Sequence, residues 1–262
     1  MAPLVMCLGV ELVSLVEWAR LDDGVSVVEH GGMMSLAHPW GTLPLATTEP
    51  AIAEALRCLV ERPVPVSMLD AMVDGRDPVL LARWYLVLDV VRGLFVHELR
   101  LGETRLLRSV PMAADAVHRR STWPLDAVAR LSRFTVVRQV AGATMADSHL
   151  SFRRAVLDSP QACRVVEELG CPVGREELAA AMPGMDAAVV QRIAEFLAAC
   201  GLLRFVARPL DEPVEDPQDW DLHWAQGFWE RRQVRPPNRC RQRPTWRWSA
   251  PTWPTCCRAI RR

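Results

Sequence analysis

The 262-residue chain is half apolar, so a sizeable buried core is within reach and a disordered chain is excluded. Its formal net charge of zero hides a division: residues 231 to 262 hold ten Arg and no acid, which leaves residues 1 to 230 about ten charges negative. All 31 basic side chains are Arg, a bias attributed to a GC-rich gene rather than to a phosphate site. Eight Cys without a CxxC pair or a His at ligand spacing indicate neither zinc nor a redox couple, and reduced thiols in the cytoplasm are the expectation. The apolar start APLVMCLGVELVSLVEW has no basic n-region and is interrupted by Glu11, so neither a signal peptide nor a membrane span is expected.

In chain order, GVSVV, MMSLAH and GTLPLA read as three short strands. PAIAEALRCLVER follows as a helix with Ile52, Ala55, Leu56, Leu59 and Val60 on one face. Ser67 and Asp70 resemble a capping box for a second helix, VSMLDAMV. A third opens at Asp77 and Pro78, turns Leu81, Trp84, Leu88 and Val91 inward, and stops at Gly93. LFVHELRLGETRLLRSV then reads as a hairpin broken at Gly102 and Glu103.

The same order recurs. FTVVRQV and FRRAVL read as strands, QACRVVEELG, GREELAAAM and DAAVVQRIAEFLAACG as helices, and LLRFV as a closing strand. A shift of 110 residues lays Leu59 on Leu169, Met68 on Leu178 and Met72 on Met182; after a two-residue gap Gly93 meets Gly201 and Phe95 meets Leu203. The expectation is α+β: tandem winged-helix-like, peptide-recognition-element-like units, each a small antiparallel sheet with three helices. Their bounds are residues 1–112 and 131–210, with a partly helical linker at 113–130, a linker and exit helix at 211–235, and an irregular or disordered tail at 236–262.

A DNA-reading unit needs basic and amide side chains on its third helix. Residues 78–92 offer Arg83 and Arg92, and residues 186–200 offer Gln191 and Arg192, in an acidic body. No nucleic-acid partner is expected. A short sheet beside a helix can instead accept a peptide as an added strand. The candidate surfaces are Thr42 to Ala46 with residues 78–92, and Ser151 to Leu157 with residues 186–200; Ser151, Arg153, Val156, Leu157, Val189 and Arg192 are the contacts expected in the second. Docking of the two units on each other or on a further domain is the alternative.

The stretch from Arg133 to Val206, followed by WDLHWAQGFWERRQVR, resembles the N-terminal half of SagB/ThcOx-type dehydrogenases. The resemblance spans roughly residues 20 to 235. In that family a peptide-recognition-like winged-helix region precedes a nitroreductase-fold domain that binds FMN and oxidises peptide thiazolines and oxazolines to thiazoles and oxazoles. It implies a ribosomally made precursor (leader) peptide and cyclodehydratase proteins as partners, and assigns the FMN phosphate to Arg231, Arg232 and Arg235, with Gln233 in place of the family's usual Ser. On the residues alone, RRQVR is also a basic helix C-terminus suited to the helix dipole. The tail after Arg235 lacks the alternating strands and helices of a flavin domain and reads as an out-of-frame segment. A chain truncated before its catalytic domain, inactive alone and without bound FMN, is therefore expected. The alternatives are a free-standing peptide-binding partner protein and a winged-helix regulator.

Overall fold

The computed structural model describes residues 14–30 and 33–207. The exit helix, the tail and Arg231, Arg232 and Arg235 lie outside the described residues. The chain folds as α+β with antiparallel sheets.

Strand β1 (Leu15–Leu21) is followed by a meander of β2 (Ser26–His30), β3 (Met33–His38) and β4 (Gly41–Leu45). Helix α1 (Pro50–Glu61), the short strand β5 (Val64–Pro65), a 3₁₀ helix at Val66–Met72 and helix α2 (Pro78–Val91) come next, and the hairpin β6 (Phe95–Leu101) and β7 (Thr104–Pro111) ends this half. The second half runs β8 (Ala127–Leu131), β9 (Thr135–Val140), β10 (Ala143–Ser148), β11 (Arg153–Leu157), α3 (Pro160–Glu168), β12 (Val173–Gly174), α4 (Arg175–Ala180), α5 (Ala187–Ala199) and β13 (Leu203–Ala207). Apart from β7, the two halves present their elements in the same order. Strand pairing repeats too: β5-β1-β6 is matched by β12-β8-β13, and β2-β3-β4 by β9-β10-β11.

Local chemistry explains the helices. Asp77 Oδ1 accepts from the amides of Val79 and Leu80 at 2.9 and 3.1 Å, and Pro78 occupies the first turn, where its missing N–H costs nothing. Ser159 and Asp186 cap α3 and α5 in the same way. By contrast, Ser67 and Asp70 form no capping box. Their segment starts at Pro65 without a side-chain cap and tightens to a 3₁₀ helix with no fully buried residue. Val66, Leu69 and Met72, three residues apart, pack against the core from this segment, a spacing that suits three residues per turn.

Three strands escape the sequence pattern. Leu15–Leu21, read as part of an apolar run, is β1. Ala143–Ser148, weak in β-branched residues, is β10, held by partners on both edges. Ala127–Leu131, expected at the end of a partly helical linker, is β8, the middle strand between β12 and β13. Ala127, Val128 and Ala129 are consecutively buried, so the alternation that announces a strand is missing.

The two halves do not keep separate sheets. Strand β7 pairs with β11 from Leu107↔Leu157 to Pro111↔Arg153 and fuses their strands into one seven-stranded antiparallel sheet, β5-β1-β6-β7-β11-β10-β9. The β6–β7 hairpin accordingly serves two cores. Phe95 belongs with Leu36, Ile52, Leu56, Leu59 and Trp84, whereas Leu99, Leu106 and Leu107 belong with Ala155, Val165, Leu178, Ile193 and Phe196. Trp84 is buried with its indole N–H donated to the Leu69 carbonyl at 2.9 Å, so its large apolar area is covered without an orphaned donor.

Gly93 and Gly201 both follow the last helix of their half, for different reasons. Gly201 has φ +74°, the left-handed conformation of a helix C-terminus. Gly93 is buried in a 3₁₀ turn, and a Cβ there would stand 2.0 Å from the Ala114 carbonyl oxygen. Gly93→Ala is expected to cost roughly 3 kcal/mol, the upper end of overpacking penalties, and Gly201→Ala about 1–2 kcal/mol from backbone conformation. Urea denaturation of both variants checks the order; a larger loss for Gly201→Ala would contradict this packing.

Candidate peptide-binding edge

The residues singled out in the second half are brought together, but inside the protein. Strand β11 pairs with β10 on one side and β7 on the other, so it has no edge left for a peptide. Ser151, Arg153, Val156, Leu157 and Val189 are all buried. Ser151 Oγ accepts from the Arg153 amide at 2.9 Å and faces the Cys200 carbonyl, which ties the start of β11 to the end of α5. Arg192 spends its guanidinium on Glu17 Oε2 at 2.8 Å and Glu195 Oε2 at 3.3 Å. The expected recognition surface of this half is thus a packed junction. A basic residue on a strand looks the same in sequence whether it meets a ligand or a neighbouring strand.

Arg153 shows how the junction is built. Its residue exposure is 1%, and its donors meet Ser109 Oγ at 2.6 Å, the Ala116 carbonyl at 2.7 Å, the Ser109 carbonyl at 3.0 Å and the Phe95 carbonyl. Burial pushes the guanidinium down to about 10, still charged at neutral pH.

In the first half the equivalent edge is open. Strand β4 pairs with β3 and, among the described residues, with no other strand, and Thr42 and Pro44 are exposed. Helix α2 shares the core of this half with β4, through Trp84, Val87 and Val91 on the one and Leu45 on the other. Arg83 of α2 forms an ion pair with Glu49, four residues beyond the end of β4. Val79, Arg83, Leu86 and Val90 recur at helical spacing and form one stripe on the exposed side of α2. Leu86 is 68% exposed, Val79 60% and Val90 49%. Single exposed apolar residues are ordinary, but a contiguous stripe on a helix marks a surface for a partner.

The contrast with α5 is direct: α5 buries eight of its 13 residues, α2 only three of 14. What covers α5 includes Trp123, whose amide donates to Glu195 Oε1 at 3.0 Å, and His118, whose ring meets Phe196 with centroids 4.8 Å apart. Nothing among the described residues plays that part for the stripe on α2. Charge is also balanced there, since Arg83 is paired with Glu49 and Arg92 with Asp89.

A second constellation joins Glu17 of β1, His97 of β6 and His118, whose potential ligand atoms lie within 4.8 Å of one another. It does not suit a cation. The two imidazoles are stacked, with centroids 4.2 Å apart and planes 18° from parallel, whereas a shared ion would have to lie near both ring planes. Arg192 and Arg120 already face the single carboxylate, at 2.8 and 3.8 Å. Ser109, His118 and Glu17 also follow one another as in a hydrolytic triad, with Ser109 Oγ 3.2 Å from His118 Nδ1 and Glu17 Oε1 3.6 Å from His118 Nε2. Ser109 is completely buried and its oxygen accepts from Arg153, so no substrate carbonyl can reach it.

Arg153→Leu is expected to lower stability by about 3–5 kcal/mol, because three carbonyls and a hydroxyl lose their donors together. Chemical denaturation measures it; a loss under about 1 kcal/mol would deny Arg153 this role. Compared with known proteins, the chain matches no family model and no curated protein.

Proposed function

We propose that this chain recognises an extended peptide, taken up as a further strand on the free edge of β4 and held by the apolar stripe of α2. The observation that carries the reading is the difference between equivalent edges: β11 is filled by β7, and β4 is not filled by any strand among the described residues. Main-chain bonds to β4 would supply affinity in any sequence, while side chains at alternate positions would meet Val79, Leu86 and Val90. Pro44 offers no N–H, so it limits how many bonds the edge can donate.

The two halves are read as tandem winged-helix-like, peptide-recognition-element-like units, of which the first is the receptor and the second the scaffold. Such a role accords with the resemblance to SagB-type azoline dehydrogenases, in which the peptide would be the leader of a ribosomally made precursor. In that reading Arg231, Arg232 and Arg235 belong to the phosphate clamp of FMN, and cyclodehydratase proteins act on the same peptide. A nucleic-acid role has less support: the cations of α2 are paired with carboxylates, and Arg192 of α5 is held by Glu17. No helix among the described residues is long and apolar enough to cross a membrane.

The test starts from a displayed library of random dodecapeptides panned on the immobilised full chain, followed by fluorescence anisotropy of an enriched peptide. Leu86→Asp and Val90→Asp are each expected to weaken binding at least tenfold, about the effect of losing one buried aliphatic contact. Exposure predicts stability changes within about 0.5 kcal/mol for both. N-methylation of alternate peptide amides should weaken binding further, and Val137→Asp on β9 should leave it unchanged. Undiminished binding by both α2 variants would overturn the assignment to this edge.

A further inference from the structure

We propose that the cluster around Glu17 is an acid-sensitive latch between the two halves of the chain, closed while His97 and His118 are neutral and released when they take up protons. Glu17 stands on β1 with its side chain only 6% exposed. It accepts from His97 Nδ1 of β6 at 3.1 Å and from Arg192 Nη2 of α5 at 2.8 Å. From the connection between β7 and β8, His118 Nε2 lies at 3.6 Å and Arg120 Nε at 3.8 Å. One buried carboxylate therefore gathers two strands of the first half, the connection and the last helix of the second half.

The surroundings leave little room for further positive charge. From β11, Arg153 acts on both imidazoles; Arg192 and Arg120 act on His118 from α5 and the connection. The compensating anions are Glu17 and Glu195, and Glu195 also receives Arg192, Gln191 and the amide of Trp123. Ser109 of β7 and the Cys200 thiol, pushed up to about 11 by burial, are neutral neighbours. Asp22 lies farther along, next to Arg153. Three guanidiniums, one of them the largely exposed Arg120, stand against Glu17, Glu195 and Asp22, so protonating stacked rings 4.2 Å apart adds two like charges to a buried site whose charges are already matched. Neutral rings stack there without penalty.

The direction of the response follows. Burial holds both imidazoles below the ordinary histidine value, His118 well below it, with the neighbouring Arg153 acting in the same sense. Burial pushes the Glu17 carboxyl up, but the hydrogen bond and field of His97 and the charges of Arg120 and Arg192 outweigh it, so Glu17 stays ionised through mild acid. An opened latch binds protons below about pH 6.5 that the closed one rejects. The closed form is therefore fully stable above that value and loses ground as pH falls beneath it.

Hydrogen exchange on the full chain at pH 7.5 and 5.5, corrected for intrinsic rates, tests the latch. Protection of residues 113–126 and of α5 is expected to fall at least tenfold at pH 5.5, while α1 keeps its protection. In a His97→Gln, His118→Asn double variant the two segments should show no such pH dependence. Wild-type protection that is the same at both pH values, or an equal acid loss in the double variant, would overturn the proposal. Should the variant not fold, the imidazole proton resonances of the wild-type chain decide: midpoints for His97 and His118 below about 6.5 that track the loss of protection support the latch, and midpoints at or above it refute it.

Discussion

A buried guanidinium held by carbonyls and a hydroxyl, with the carboxylate of Asp22 acting only through its field, fixes this architecture. Moving an ion of that size out of water costs several kcal/mol even after relaxation, and Arg153 recovers it from oriented carbonyls and one hydroxyl rather than from an opposite charge. Those acceptors belong to β7, to the first residue of β6 and to the connection after β7, so the side chain can be satisfied only when all three surround the start of β11. A one-residue slip of β11 against β7 would turn Arg153 to the opposite face of the sheet. The fusion of the two halves into one sheet and the register of that fusion therefore rest on the same set of bonds. Arg108 and Arg105 strengthen the other end of the junction through Asp158, at 2.9 and 3.1 Å.

Once β7 is committed to β11, the halves can no longer be functionally equivalent. The hairpin that emerges from the first half fills the edge of the second and, with the connection behind it, covers α5. Among the described residues, which end at β13, no corresponding hairpin treats β4 and α2 in the same way. Of the two equivalent edges one is consumed internally and the other has no partner among the described residues, and an apolar helix surface such as that of α2 is costly to leave in water unless something is meant to bind there. The edge is also partly blunted by Pro44, a feature compatible with a receptor that must avoid pairing with its own copies.

Much of this was readable from the residues. The three strands before α1, the hairpin turn at Gly102, the Asp77–Pro78 helix start and the offset of about 110 residues between the halves all rest on local rules that tertiary context did not override. What could not be read was pairing. Strand β8 hides because Ala127 to Ala129 are buried in succession, and β10 because ATMADS has little intrinsic preference and owes its conformation to two neighbours. The Glu17 cluster assembles residues 17, 97, 118 and 192, whose proximity no spacing announces. One signal was available: Glu17 and His97 stand on facing strands two pairs apart and so on the same face of the sheet, but only after β1 had been recognised as a strand.

The same limit explains why Ser151, Arg153 and Arg192 were expected at a binding surface. Polar side chains near a predicted edge suggest recognition only if the edge is free, and freedom of an edge depends on strands distant in sequence. In the first half the reverse holds. PVLLARWYLVLDVV is apolar on nearly every side, a pattern that ordinarily means a helix enclosed by its own protein. Here only Trp84, Val87 and Val91 are fully enclosed and Leu80, Leu81 and Leu88 partly so, while Val79, Leu86 and Val90 are left exposed by the described residues. The informative quantity was not the presence of polar groups on β11 but the surplus of exposed apolar ones on α2, in the half whose strand edge has no partner among the described residues.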